Sequence, residues 1–343
     1  MEQPDISMLD DRYDVVIIGG GAAGLAGALA LARSRRRVLV IDDGQPRNAP
    51  AGHIHNYLGR EGTPPADLLA IGRDEVAGYG GQVIAASVVS ASRLDGDLAE
   101  PDGGFVIGLA DGRDVRARRL LVATGAIDEL PPVPGIAERW GRDVLHCPYC
   151  HGWEAQDRAI GVLAGGPMTV HAALLWRQLS ADVVVFRHDQ PPFPEEEREK
   201  LAARGIRVIE GEVTELDVRD DRLVGVRLRS GEVVPRDVLV VASRPMARLG
   251  ALAGLGLHAE DVEMGGQVVG SRVPGAGPAG TSGVPGVWVA GNVAEPMAQV
   301  IGSAAAGLMA GAHINADLVA EEAAVEVTAL RERASQAGQP VAA

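Results

Sequence analysis

Tyr13-Asp14-Val15-Val16-Ile17-Ile18-Gly19-Gly20-Gly21-Ala22-Ala23-Gly24 is the stretch from which the fold can be read. Its first six residues read as a strand buried on both faces of a parallel sheet. The glycines follow at once. A helical pattern then runs from Leu25 to Arg37, and Val38-Leu39-Val40-Ile41 is the next strand, ending at Asp42. The acid stands 23 positions after the first glycine. This is the plan of a dinucleotide-binding unit. Glycines let the backbone approach a pyrophosphate at the helix N-terminus, and the terminal carboxylate takes a ribose hydroxyl. The glycine pattern alone would be weak; the strand, helix and acid around it make it specific. Gly19, Gly20, Gly21, Ala22, Ala23, Gly24 and Asp42 are therefore candidate nucleotide-binding residues.

The unit recurs. Ala159-Ile160-Gly161-Val162-Leu163 is a second buried strand, followed by Ala164-Gly165-Gly166-Pro167-Met168-Thr169, a helix over Val170–Leu179, the strand Val183–Phe186, and Arg187. Ala164 to Arg187 again spans 23 positions. The first copy, ending in a carboxylate, suits FAD. The second, ending in Arg187, follows an NADP(H) plan, because a cation there meets a 2′-phosphate. The predicted class is α/β, with two Rossmann-like dinucleotide-binding domains. The second copy is worn: Ala164 replaces the first glycine, Pro167 removes a backbone N–H, and His188 stands where a second permanent cation would help. Two readings stay open for Gly165, Gly166, Arg187 and His188, an NADP(H) site or a structural relic.

A length of 343 residues suggests about two domains, and 46% hydrophobic residues are ample for their cores. Aromatics at 3% and a formal charge of -14 argue against nucleic-acid partners. No apolar run is long enough to span a membrane. Met1–Asp11 is acidic, without the pattern of a signal peptide. With only two cysteines, the expected location is cytoplasmic. The proposed division is 1–130 for the first segment of the FAD domain, 131–245 for an inserted NAD(P)-type domain, 246–320 for the second FAD segment, and 321–343 for a peripheral helix with a frayed end. Pro131–Gly135 reads as the linker between the first two.

Both cysteines fall in Cys147-Pro148-Tyr149-Cys150-His151-Gly152. Such a pair can close and reopen a disulfide. Zinc is the alternative, with His146 and His151 as further ligands, but adjacent residues rarely converge on one ion. Gly44, Arg47 and Asn48 occupy a turn-rich loop after Asp42, followed by His53 and His55, which read as structural. Thr124 and Gly125 form a turn after the strand ending at Val122. Val287–Ala290 leads to Gly291-Asn292. Gln299 and Val300 begin a small-residue helix running through Ala312, whose N-terminal dipole would face an electron-poor flavin ring.

In this order the motifs resemble the low-molecular-weight thioredoxin reductases over residues 13–320. The resemblance implies an FAD domain in two segments, an inserted domain carrying the cysteines, and a homodimer. It implies that Cys150 faces the flavin and Cys147 meets substrate. Three positions depart from the pattern: His151 and Asn292 each replace an aspartate, and Arg187-His188 replaces an arginine pair. Cys-x-x-Cys-His-Gly followed by Trp153-Glu154 is similar to the FAD-dependent dithiol oxidases of the gliotoxin and holomycin type. Those run electrons from a dithiol to oxygen. The expectation is thus an FAD-dependent thiol/disulfide oxidoreductase closing a small dithiol, with Cys147, Cys150 and His151 catalytic. His151 would take thiol protons near neutral pH. The alternatives are an NADPH-dependent reductase of thioredoxin-like proteins or small disulfides, and a non-catalytic flavoprotein sensor.

Overall fold

The computed structural model describes residues 9–336 except 11, 97, 99–102, 276 and 278. The acidic residues 1–8 and the expected frayed end at 337–343 lie outside the described residues.

β1 (Arg12–Ile18) leads through the glycine turn into α1 (Ala22–Arg33) and back to β2 (Val38–Asp42). The helix stops short of Arg37, because Arg35 takes a left-handed φ of 62° and redirects the chain. α2 (Pro65–Gly78) precedes β3 (Gln82–Ala85), which adds in parallel to β2. The apolar run Val83–Ser90 predicts one strand, and the structure makes two. Ala86 N–H donates to Asp42 O, Ser87 O accepts from Ala110 N–H, and between them the chain crosses the sheet. It resumes as β4 (Val88–Arg93) at the opposite edge, antiparallel to β5 (Phe105–Leu109). An apolar pattern specifies a strand but not its partner. β6 (Asp114–Val122) pairs with β5 by its first half and lies parallel to β1.

β7 (Ala126–Glu129) leaves this sheet. The expected linker is packed: Val133 is buried, and a Cβ on Gly135 would lie 2.9 Å from Leu216. After α3 (Ile136–Arg139) come β8 (Val144–Leu145), α4 (Pro148–His151), β9 (Ile160–Leu163), α5 (Thr169–Trp176), β10 (Val183–Phe186), α6 (Glu195–Ala203) and β11 (Arg207–Ile209). β12 (Val213–Arg219), β13 (Arg222–Leu228) and β14 (Val233–Pro235) form an antiparallel cover. β15 (Val238–Val240) completes a parallel sheet ordered β11-β10-β9-β15-β8. β16 (Arg244–Ala247) pairs antiparallel with β7, so the outward and return crossings form one ribbon. β17 (Glu260–Met264) and β18 (Gln267–Arg272) form a hairpin; the Gly- and Pro-rich run Gly270–Gly286 predicts a loop, and its first residues belong to β18 instead. β19 (Val287–Val289) rejoins the first sheet beside the second half of β6.

α7 runs unbroken from Val300 to Gln336, where two helices were expected. Its first half crosses α1 through glycines: a Cβ on Gly307 would lie 1.9 Å from the Ala23 carbonyl oxygen. Its second half is tied down by arginines from the strands. Arg119, 4% exposed, bonds Asp317 and Glu321, and Arg118 bonds Glu321 and Glu322. The tail from Glu321 reads as peripheral because the strand arginines that hold Glu321 and Glu322 lie some 200 positions away. Each large sheet carries apolar clusters on both faces, and the fold is the expected α/β with two Rossmann-like units. No described helix is long and apolar enough to cross a membrane.

Candidate active site

One cavity of about 710 Å³ runs from the glycine turn after β1 to the cysteines. Gly19, Gly20, Gly21, Ala22, Ala23, Asp42, Arg47, Asn48, Thr124, Gly125, Gly291, Asn292, Gln299 and Val300 line it, with Cys147, Cys150 and His151. Gly24 and Gly44 do not. Gly24 lies beneath the turn, where a Cβ would lie 1.9 Å from Gly19 O, and Gly44 supplies a bend at φ 73°. Gly19 has a φ of 108°, and a Cβ there would lie 2.4 Å from Ala123 O. Gly20 N–H donates to Asp42 Oδ1 at 3.1 Å. Thr124 closes its turn by donating to Arg248 O at 2.7 Å.

Two lining residues have structural duties that their sequence gave no sign of. Arg47 makes a bidentate pair with Asp128 on β7, both bonds 2.7 Å, and donates to Pro296 O. Burial would raise the Asp128 carboxyl, but Arg47 and the Ser243 hydroxyl outweigh it and hold its pKa below the ordinary value. Asn292 Nδ2 donates to the carbonyls of Glu295, Pro296 and Ala298 at 3.1, 3.3 and 2.9 Å. A carboxylate could not do this, and the amide fixes the loop that leads into α7.

Cys147 and Cys150 form a disulfide with a Cα–Cα distance of 5.3 Å. Both are half-buried on the cavity wall, with exposed Tyr149 and Trp153 beside them. The backbone N–H groups of Cys150 and His151 both donate to Cys147 O. Gly152 admits no side chain: a Cβ would meet Pro148 O at 2.2 Å and Leu179 at 2.4 Å. Both ring nitrogens of His151 are buried without a hydrogen-bond partner among the described residues. Burial pushes its pKa below the ordinary value; Glu154 pulls it back up and His55 opposes that. His146, stacked on Trp140 with ring centroids 5.2 Å apart, is driven down to about 4 by burial and then by Arg47.

Residues 13–311 match the family model for pyridine nucleotide-disulphide oxidoreductases. The chain belongs to that family. The thioredoxin reductase tcpT of Claviceps purpurea is 31% identical over 71% of this chain and 78% of its own. Among solved structures, HlmI is 43% identical with a TM-score of 0.85, covering 95% of this chain and 98% of that one. The putative thioredoxin reductase TrxB from Bacillus anthracis is 25% identical with a TM-score of 0.80, covering 90% and 99%. The architecture is that of the low-molecular-weight thioredoxin reductases, and the chain is a flavin-dependent disulfide oxidoreductase.

This oxidoreductase family implies FAD, and the residues present fit it. The first glycine turn is a cradle that any Cβ at Gly19 would fill, and it opens onto a single cavity reaching the disulfide. Gly19–Ala23 would hold the pyrophosphate and Asp42 the ribose, while Asn292 holds its loop in place beside the α7 N-terminus.

The second unit is arranged differently. Gly165, Gly166, Arg187 and His188 lie outside the cavity. Gly165 N–H points to Thr169 Oγ1 at 3.4 Å, and the Thr169 hydroxyl donates to Gly166 O at 2.7 Å. The β17–β18 turn lies over this loop: a Cβ on Gly166 would be 3.7 Å from Gln267 Oε1, and one on Gly265 3.1 Å from Pro167. Arg187 donates to Glu210 and to Gln190 O. His188 Nδ1 accepts from Val213 N–H at 3.0 Å. Spacing within the sequence offers no sign of Gln267, Glu210 or His55, because each of these contacts joins segments well separated in the chain.

Proposed function

We propose that this chain is an FAD-dependent dithiol oxidase that closes a disulfide in a small dithiol, with oxygen as the final acceptor. One observation carries the reading: the second nucleotide unit uses its own binding groups internally. Arg187 faces Glu210, Gly165 N–H faces Thr169, and Gln267 lies against Gly166. A nicotinamide dinucleotide would have to displace all three. A dithiol has only to enter the open cavity beside Cys147. The greater identity with HlmI, 43% against 25% for the Bacillus anthracis thioredoxin reductase, agrees with a chain specialised away from thioredoxin reduction.

In this reading a substrate thiolate attacks Sγ of Cys147, forms a mixed disulfide and releases Cys150 as a thiolate. The second substrate thiol loses its proton and attacks the substrate sulfur of that mixed disulfide. The product leaves as a closed disulfide, and Cys147 leaves as a thiolate. The dithiol has lost two electrons and two protons, and the cysteine pair has gained the electrons. His151 accepts a thiol proton: burial keeps it neutral at physiological pH, and its nitrogens have no competing partner. When bound, FAD supplies the two-electron acceptor that restores the cysteine disulfide and delivers the electrons to oxygen. Residues 1–130 and 246–320 build the flavin unit, and 131–245 the inserted unit. A homodimer in the cytoplasm belongs to the same proposal.

An NADPH-dependent thioredoxin reductase is the second reading. It is favoured by the names of the relatives and by the exposed aromatic rim of Tyr149 and Trp153, which suits a protein substrate. Anaerobic reduction separates the two. Dithiothreitol should bleach the flavin, with hydrogen peroxide formed on admitting air, and NADPH should not. Rapid bleaching by micromolar NADPH would overturn the oxidase reading.

A further inference from the structure

A row of charged groups beside the disulfide has no part in the sulfur chemistry above. His55 lies between two carboxylates: Nδ1 is 2.6 Å from Glu61 Oε1, and Nε2 is 3.3 Å from Glu154 Oε1. A ring nitrogen bonds a carboxylate only by donating, so Nδ1 carries its proton toward Glu61. The other Glu61 oxygen accepts Asn56 N–H at 2.8 Å. Asn56 Nδ2 in turn donates to Tyr149 O at 2.6 Å, between the two cysteines. Asn56 takes a φ of 59°, a left-handed conformation that asparagine adopts readily. The loop is thus fastened to the turn that carries Cys147, Cys150 and His151.

His151 gives the independent observation. Its two nitrogens are buried and unpartnered on the cavity wall, and the charges that reach it are those of Glu154 and His55. We propose that the Glu154–His55 ion pair is a positioning pair that tunes proton transfer at His151. The Glu154 carboxylate favours the imidazolium that forms when His151 takes a thiol proton. His55, held by Glu61, offsets part of that attraction, so the proton can leave again. Other groups around the cavity leave this balance intact. His146 is neutral across the working range, Arg47 and Asp128 neutralise each other, and the His53 ring centroid stands 6.3 Å from that of His55. His171, on α5, also lines the cavity.

The inference rests on His151 as the proton acceptor, and its test keeps the two separable. Histidine-labelled, FAD-loaded, oxidised protein is titrated by NMR, with His151→Gln identifying the signal. Glu154→Gln should lower the His151 midpoint by about half a pH unit or more, and His55→Gln should raise it by a similar amount. Glu154→Asp keeps the charge and should hold the wild-type midpoint. The acid limb of kcat/KM for dithiothreitol oxidation should move with the midpoints, down for Glu154→Gln and up for His55→Gln. A scaffolding role alone would not give opposite signs. If both variants move the midpoint the same way, or neither moves it, while His151→Gln abolishes the acid limb, the inference alone fails. If His151→Gln keeps the wild-type limb, the acceptor role fails and the inference with it.

Discussion

At the end of β1, Gly19 N–H donates to Ile41 O at 2.8 Å; at the end of β9, Ala164 N–H donates to Phe186 O at the same distance. From that shared bond the two nucleotide units part. Gly19 turns to a φ of 108°, and Gly20 N–H is aimed at the carboxylate ending the next strand. Ala164 is not among the described residues with positive φ, and Gly165 N–H is aimed at its own helix. Asp42 faces the large cavity, whereas Arg187 is bonded to Glu210. The same topology therefore yields an open cradle in one copy and a closed turn in the other. What differs is where each turn and its terminal residue face: Gly19–Ala23 and Asp42 line the cavity, whereas Gly165 and Gly166 do not and Arg187 is taken by Glu210. A phosphate can bind only where N–H groups are still free to meet it.

The largest effect that would break this contrast comes from adding one methyl group to each turn. Gly19→Ala puts a Cβ 2.4 Å from a carbonyl oxygen at a φ that side chains rarely adopt. It should purify largely without flavin, shown by loss of visible absorbance per protein. Gly166→Ala meets only ordinary contact, its nearest atom 3.7 Å away. It should keep its flavin and oxidise dithiothreitol within about twofold of wild type. Equal flavin loss in both variants would mean that the two turns are equivalent in solution.

Asn292 sharpens the contrast at the other end of the cavity. Restoring the aspartate usual in thioredoxin reductases looks conservative. Here the amide donates to three carbonyls, and a carboxylate in its place would face them with no proton to give. Asn292→Asp should cost about 2 kcal/mol of stability, read as a lowered denaturation midpoint of the holoprotein. Unchanged stability would show that the 295–298 loop does not depend on this side chain.

How far these arrangements were legible follows from the range of the forces involved. The strand–glycine–helix–acid unit is local, so β1 through Asp42 could be read directly, and its copy at β9 through Arg187 by the matching spacing. The cysteine pair was legible because no other cysteine competes with it. Val83–Ser90 was misread as one strand because apolar alternation carries no record of which edge a strand joins. The end of α7 looked peripheral because the arginines that hold it sit on other elements. Arg187 looked like a free cation for the same reason: Glu210 stands 23 positions away, on another strand end. Propensity and spacing report what a segment can do; the partner that claims its polar groups is a tertiary fact.

Arg187→Ala is the smallest effect and the finest cut between the two functional readings. Its partner Glu210 is 66% exposed, so losing the pair should cost under about 1 kcal/mol. With a dithiol as electron donor, turnover should stay within about twofold, because Arg187 touches neither the cavity nor the disulfide. The reductase reading requires the reverse. There Arg187 would swing from Glu210 to a 2′-phosphate, and its removal would raise the KM for NADPH by roughly tenfold or more while leaving that for NADH unchanged. Measuring both nucleotides with wild type and variant, each at the same protein and oxygen concentration, reads the difference directly. A selective loss with NADPH would show that the Arg187–Glu210 bond opens in solution, and that the second unit is closed only until a nucleotide competes for it.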